Sequence, residues 1–157
     1  MAKVRITQES YSDLCLGMAE QIKEYNPDCL VAVMRGGMTA THLIAKHLAL
    51  EVGVCFPNVE GVEVNLVLPN GITPKRLVFI EDLVALGRTA NKITDYLDKQ
   101  QFEYMIAPVF VDDKCPMHFD IYGIRSKHWL VAPFEEAQRM EEGNQGLFRE
   151  SEAGYAR

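Results

Sequence analysis

Two adjacent carboxylates, Glu81 and Asp82, follow directly on the apolar run Leu77-Val78-Phe79-Ile80. After them come Leu83-Val84-Ala85-Leu86-Gly87-Arg88-Thr89 and then a helical pattern. The apolar run reads as a buried strand, so the acids stand at its carboxyl end. A short turn containing glycine that opens a helix leaves backbone N–H groups without intrahelical partners. The helix dipole adds to their pull on an anion. Carboxylates beside such a loop suit hydroxyl groups or a metal ion. A ligand with a phosphate at one end and sugar hydroxyls beside it satisfies both halves.

The elements that must hold these groups follow from periodicity. Leu14, Met18 and Ile22 recur at helical spacing in 10–25, where Ser10 or Ser12 is the expected cap and Asn26-Pro27-Asp28 the stop. Cys29 to Met34 is a continuous apolar run, as in a strand buried on both faces. Arg35-Gly36-Gly37 breaks it, and 38–50 returns to helical spacing. Val52 to Phe56 reads as a short strand, and 62–68 alternates as a half-exposed one before the turn Pro69-Asn70-Gly71. Strand 77–81, helix 89–99, strand 104–111, a loop from Asp112 to Phe119 and strand 128–132 complete the order. Strands alternating with helices imply an α/β domain with a central, mostly parallel sheet. Ligands of such sheets lie beyond the carboxyl ends of the strands. The loops at Arg35, Glu81 and Asp112 all fall there. The charged segment 136–157 reads as a tail or a lid.

Composition narrows the function. The 157 residues fit a single domain with a full core, 1–157. A net charge of −6 without a basic run argues against a general nucleic-acid binder. No stretch approaches the roughly 20 apolar residues of a membrane span, and the start lacks a secretory h-region. Cys15, Cys29, Cys55 and Cys115 are widely spaced, with no metal or redox motif among them. Reduced, buried thiols in a cytoplasmic protein are the expectation.

Three segments together carry a resemblance. They are Leu77 to Ala90; Val31-Ala32-Val33-Met34-Arg35-Gly36-Gly37; and His128-Trp129-Leu130-Val131-Ala132-Pro133-Phe134-Glu135. In this order they resemble the strand-acid-acid-loop signature, the diphosphate loop and the purine segment of the type I phosphoribosyltransferases. The small bacterial xanthine-guanine and hypoxanthine type is the most similar. The resemblance implies a parallel sheet flanked by helices, with a small hood from about 1–10 and 112–157. It implies transfer of a phosphoribosyl group from 5-phosphoribosyl 1-diphosphate, held with Mg²⁺, to a nucleobase nitrogen, a purine by preference, in nucleotide salvage. Members of this family lead one to expect a homo-oligomer, a dimer or a tetramer.

The family's roles carry over residue by residue. Glu81 and Asp82 match the acids on the ribose hydroxyls, and Ala85, Leu86, Gly87, Arg88 and Thr89 the loop around the 5-phosphate. Arg35 and Gly36 match the diphosphate loop. Trp129 and Leu130 fall where the base stacks, Lys114 where a donor meets its exocyclic oxygen, and Glu135 where an acid faces a metal-bound water. Plainer readings stand beside these: a helix cap for Thr89, a core position for Trp129, and solvated charges for Arg88, Lys114 and Glu135. The chain also departs from the pattern. Ala85 stands where 6-oxopurine members carry an Asp near the purine N7, although adenine and uracil members have Ala there. Leu86 replaces a hydroxyl residue, and the short segment from Phe56 to Arg76 lacks a Ser-Tyr pair. These departures motivate an alternative: a non-catalytic member of the fold that senses a nucleotide or phosphoribosyl diphosphate.

Overall fold

The computed structural model describes residues 3–57, 64–71, 73, 75–100 and 102–135. The expected tail or lid over 136–157 and the first residues of the strand expected over 62–68 lie outside them.

Strand β1 (Lys3–Arg5) leads into α1 (Gln8–Tyr25). Thr7 is the cap, not Ser10 or Ser12: its Oγ1 accepts the Ser10 amide at 3.1 Å, so the helix begins two residues early. Tyr11, Cys15, Met18, Ala19 and Ile22 form its buried stripe. Asn26 in the left-handed region, with φ 54°, ends it. Strand β2 (Cys29–Val33) is buried at every position, as its unbroken apolar run requires. Helix α2 (Met38–Leu48), β3 (Glu51–Pro57), β4 (Val64–Val67) and β5 (Arg76–Val84) follow. Then come α3 (Arg88–Leu97), β6 (Glu103–Asp112), β7 (Ile124–Ser126) and β8 (Trp129–Val131).

Among the described residues, six strands form one sheet in the order β4-β3-β2-β5-β6-β7. Every neighbouring pair is parallel except β3 with β4. Parallel registers such as Ala32 opposite Ile80 and Ile80 opposite Ala107 bring the carboxyl ends of β2, β5 and β6 to one edge. Helices cover both faces, because each central strand is apolar on both. On one face α1 and α2 bury Leu30, Val78, Ile80, Ala107 and Val109. On the other, α3 places Ala90, Ile93 and Leu97 against Val31, Leu77 and Phe79.

The strand expected over 128–132 is β8, and it does not join the main sheet. It pairs in parallel with β1, Lys3 opposite Trp129 and Arg5 opposite Val131, and forms a separate two-stranded ribbon. No helix among the described residues is long and apolar enough to cross a membrane.

Candidate active site

Strand β5 continues past its acids. Leu83 pairs with Phe110 and Val84 with Val111, so the turn into α3 is only Ala85, Leu86 and Gly87. Gly87 takes φ 76° as the residue before α3, and no side chain caps the helix. Thr89 therefore sits inside the first turn and is not the cap. With no capping oxygen in place, the amides at this end remain available to an anion. Gly87 is also close-packed: a Cβ there would strike the Met117 sulfur. Glu81 and residues 83–90 line a cleft of about 230 Å³. That is below the roughly 300–1,000 Å³ of ordinary small-molecule sites and suits one end of a ligand. Leu86 is 57% exposed at its mouth, and Arg88 is exposed beside it.

Strand alternation sends the two acids to opposite faces of the sheet. Glu81 shares the side of Phe79, is only 7% exposed, and its Oε2 has no hydrogen-bond partner. Burial, reinforced by the neighbouring Asp82 charge, pushes its carboxyl up to about 8. Asp82 shares the side of Ile80, and its Oδ1 accepts the Leu83 amide at 2.8 Å. Burial raises this carboxyl too, against the pull of its backbone hydrogen bonds.

The Arg35-Gly36-Gly37 turn, which opens with a cis peptide between Met34 and Arg35, lies directly against this strand end. A Cβ on Gly36 would fall on the Asp82 carboxylate, and one on Gly37 on the Ile80 carbonyl. Glycine is required at both positions by this approach, and it joins the expected diphosphate loop to the expected ribose acid. Arg35 is exposed at the turn, and α2 begins after Gly37 without a side-chain cap.

The loop after β6 borders the same edge. Asp112 still belongs to the strand, so Lys114 stands two residues beyond its end. Asp112 Oδ1 accepts the Lys114 amide at 2.8 Å and folds the turn, leaving Lys114 exposed. Arg125 fastens the rest: its guanidinium donates to the carbonyls of Cys115 at 3.2 Å and Met117 at 3.1 Å. Sequence reasoning passed over Arg125, because nothing local marks an arginine that bonds to carbonyls ten and eight residues away. Trp129 is half-buried in β8. The Leu130 side chain faces the core beneath α1, so only its backbone is left for a base. Glu135 is half-buried in the turn that starts at Pro133. The structure thus gathers Glu81, Asp82, Gly36 and the 85–89 loop at one strand end, with Lys114 on the adjoining loop and Trp129 and Glu135 on the ribbon side.

No protein-family model matches the sequence, and no curated protein does. Solved structures do match. A purine phosphoribosyltransferase from Pyrococcus horikoshii aligns with TM-score 0.72 at 24% identity, over 86% of this chain and 95% of that one. The Helicobacter pylori xanthine-guanine-hypoxanthine phosphoribosyltransferase aligns with TM-score 0.70 at 17% identity, over 89% and 99%. A hypothetical protein from Neisseria gonorrhoeae with bound ppGpp aligns with TM-score 0.66 at 18% identity, over 92% and 98%. Strand order, the flanking helices and near-complete coverage of these chains agree: this protein has the type I phosphoribosyltransferase fold.

Proposed function

We propose that this protein is a phosphoribosyltransferase that transfers the phosphoribosyl group of 5-phosphoribosyl 1-diphosphate to a nucleobase, a purine by preference. The C1–O bond breaks with its electron pair leaving on diphosphate, a C1–N bond to the base forms as that nitrogen gives up its proton to solvent, and diphosphate and a nucleoside 5′-monophosphate are released. The observation that carries this reading is the cleft where an uncapped helix N-terminus meets the buried, partnerless Glu81 oxygen. One half of it favours phosphate and the other favours a hydroxyl.

The roles follow from placement. Amides of residues 86–89 and the Thr89 hydroxyl hold the 5-phosphate. Glu81 and Asp82 accept from the ribose hydroxyls and fix C1 in line with the incoming nitrogen. Arg35 and the Gly36 amide receive the diphosphate. Trp129 offers a stacking face to the base, and Lys114 a donor to its edge. Among the described residues no three potential metal ligands cluster, so these residues form no metal cage by themselves. Mg²⁺ does not need one, since it binds through one or two carboxylates and the substrate's own phosphates. The orphaned Glu81 oxygen and Asp82 fit that requirement, with Glu135 acting through a water. The ion's contribution is to neutralise the leaving diphosphate. The same reading puts the protein in cytoplasmic nucleotide salvage as a dimer or tetramer, which fractionation and light scattering measure directly.

A second reading is a nucleotide sensor. Ala85 has no carboxylate for a base nitrogen, Leu86 has no hydroxyl for phosphate, and one structural neighbour holds ppGpp. Diphosphate release, assayed with phosphoribosyl diphosphate, Mg²⁺ and a panel of bases, separates the two. Turnover with one base supports the enzyme; calorimetric binding without turnover on any base supports the sensor; failure to bind removes both. Asp82→Asn and Thr89→Val should each weaken phosphoribosyl diphosphate binding about tenfold. Unchanged titration curves for both variants would reject the site assignment.

A further inference from the structure

Tyr11 is fully buried on α1, and its hydroxyl makes no hydrogen bond. The Cys15 thiol, a weak acceptor one turn along, is near it but outside bonding geometry. The ring stands edge-on to Phe110 of β6 at 5.9 Å and to Phe134 at 5.5 Å. Phenylalanine would serve this packing equally well and would spare the fold an unsatisfied buried donor. The hydroxyl therefore needs an account other than packing. The charges of Asp82 and Glu135 both bear on it, and its ring partner Phe110 stands opposite Leu83, the residue after Asp82. Asp82 lies on the face of β5 that α1 covers, and Glu135 follows directly on the Phe134 that packs against the ring. Tyr11 thus stands where the strand end carrying the acid meets the 132–135 segment.

We propose that Tyr11 is a positioning residue of the site: its hydroxyl is the donor that fixes the Asp82 carboxylate when a ribose-phosphate ligand binds, while its ring holds the 132–135 segment over that carboxylate. This rests on the ribose-phosphate reading of the cleft. Burial keeps the phenol protonated, and hence a donor, throughout the working pH range. Tyr11 acts through Asp82 and need not touch the ligand.

The test compares wild type with Tyr11→Phe, using guanosine 5′-monophosphate as the probe. Three measurements are made: thermal stability of the free protein, calorimetric affinity, and the ¹³Cζ resonance of Tyr11, identified by its loss in the variant. The variant should melt at or above the wild-type temperature, yet bind about tenfold more weakly. In the wild type the Tyr11 resonance should shift on saturation. An unchanged affinity or an unmoved resonance, with the wild type binding normally, overturns the role of Tyr11 alone. A wild type that binds neither this nucleotide nor phosphoribosyl diphosphate overturns the ribose-phosphate reading, and Tyr11's role falls with it.

Discussion

A carboxyl group held inside the sheet at the end of β5 has to titrate late. Glu81 does so at about 8, against 4.5 for its exposed counterpart. Between those values the folded chain keeps a proton that the unfolded chain has released. The contribution to stability is therefore full below 4.5 and is lost as pH rises to about 8. Asp82, also raised by burial, adds with the same sign. Glu81→Gln removes the larger part of this slope. Over the interval the wild type should lose more than about 1 kcal/mol relative to the variant, measured by urea unfolding of the free protein at several pH values. Parallel profiles would show that Glu81 is not held in this environment. At this scale the sequence was partly legible. The acid pair and Gly87 announced themselves by type and spacing. The environment each acid meets did not, because it depends on which helix covers each face of the sheet. Tyr11 carried no signal, since a tyrosine on an apolar stripe looks like any core residue.

Elements were readable wherever one local signal decided them. The buried run of β2, the stripe of α1 and the alternation of β4 all stand where periodicity puts them. Boundaries set by distant partners were not readable. β5 outruns its expected end at Glu81 because Leu83 and Val84 find Phe110 and Val111. β7 is three residues long and exists only through its pairing with Phe110 to Asp112. The loop after β6 owes its shape to Arg125, whose donors span carbonyls from Asp112 to Met117. Met117 in turn packs on Gly87, so this loop buttresses the turn that opens α3. Arg125→Ala should leave the sheet folded but speed amide exchange across 113–117 by about tenfold or more, as lost hydrogen bonds release the loop. Exchange unchanged from wild type would mean the loop holds itself.

For the whole molecule, alternation of strands and helices was enough to give a mostly parallel α/β sheet flanked by helices. The β1–β8 ribbon joins residues 3–5 to 129–131, and neither segment reveals the other by its own pattern; only the resemblance had put both segments in one hood. Tyr11 of α1 packs against both Phe110 of β6 and Phe134 beyond that ribbon, so the start of the chain stands beside residues remote in sequence. Binding to the folded state alone at about a hundredfold over Kd should add about 2.7 kcal/mol. For a chain of 157 residues that raises Tm by about 5–10 °C, which scanning calorimetry with phosphoribosyl diphosphate and Mg²⁺ checks. The central claim is that a ribose phosphate binds between α3 and the β5 acids. A crystal structure with guanosine 5′-monophosphate tests it most directly. The account predicts the phosphate on the amides of residues 86–89 and the ribose hydroxyls within hydrogen-bond reach of Glu81 or Asp82. A phosphate bound elsewhere on the chain, with that cleft left to solvent, would contradict it.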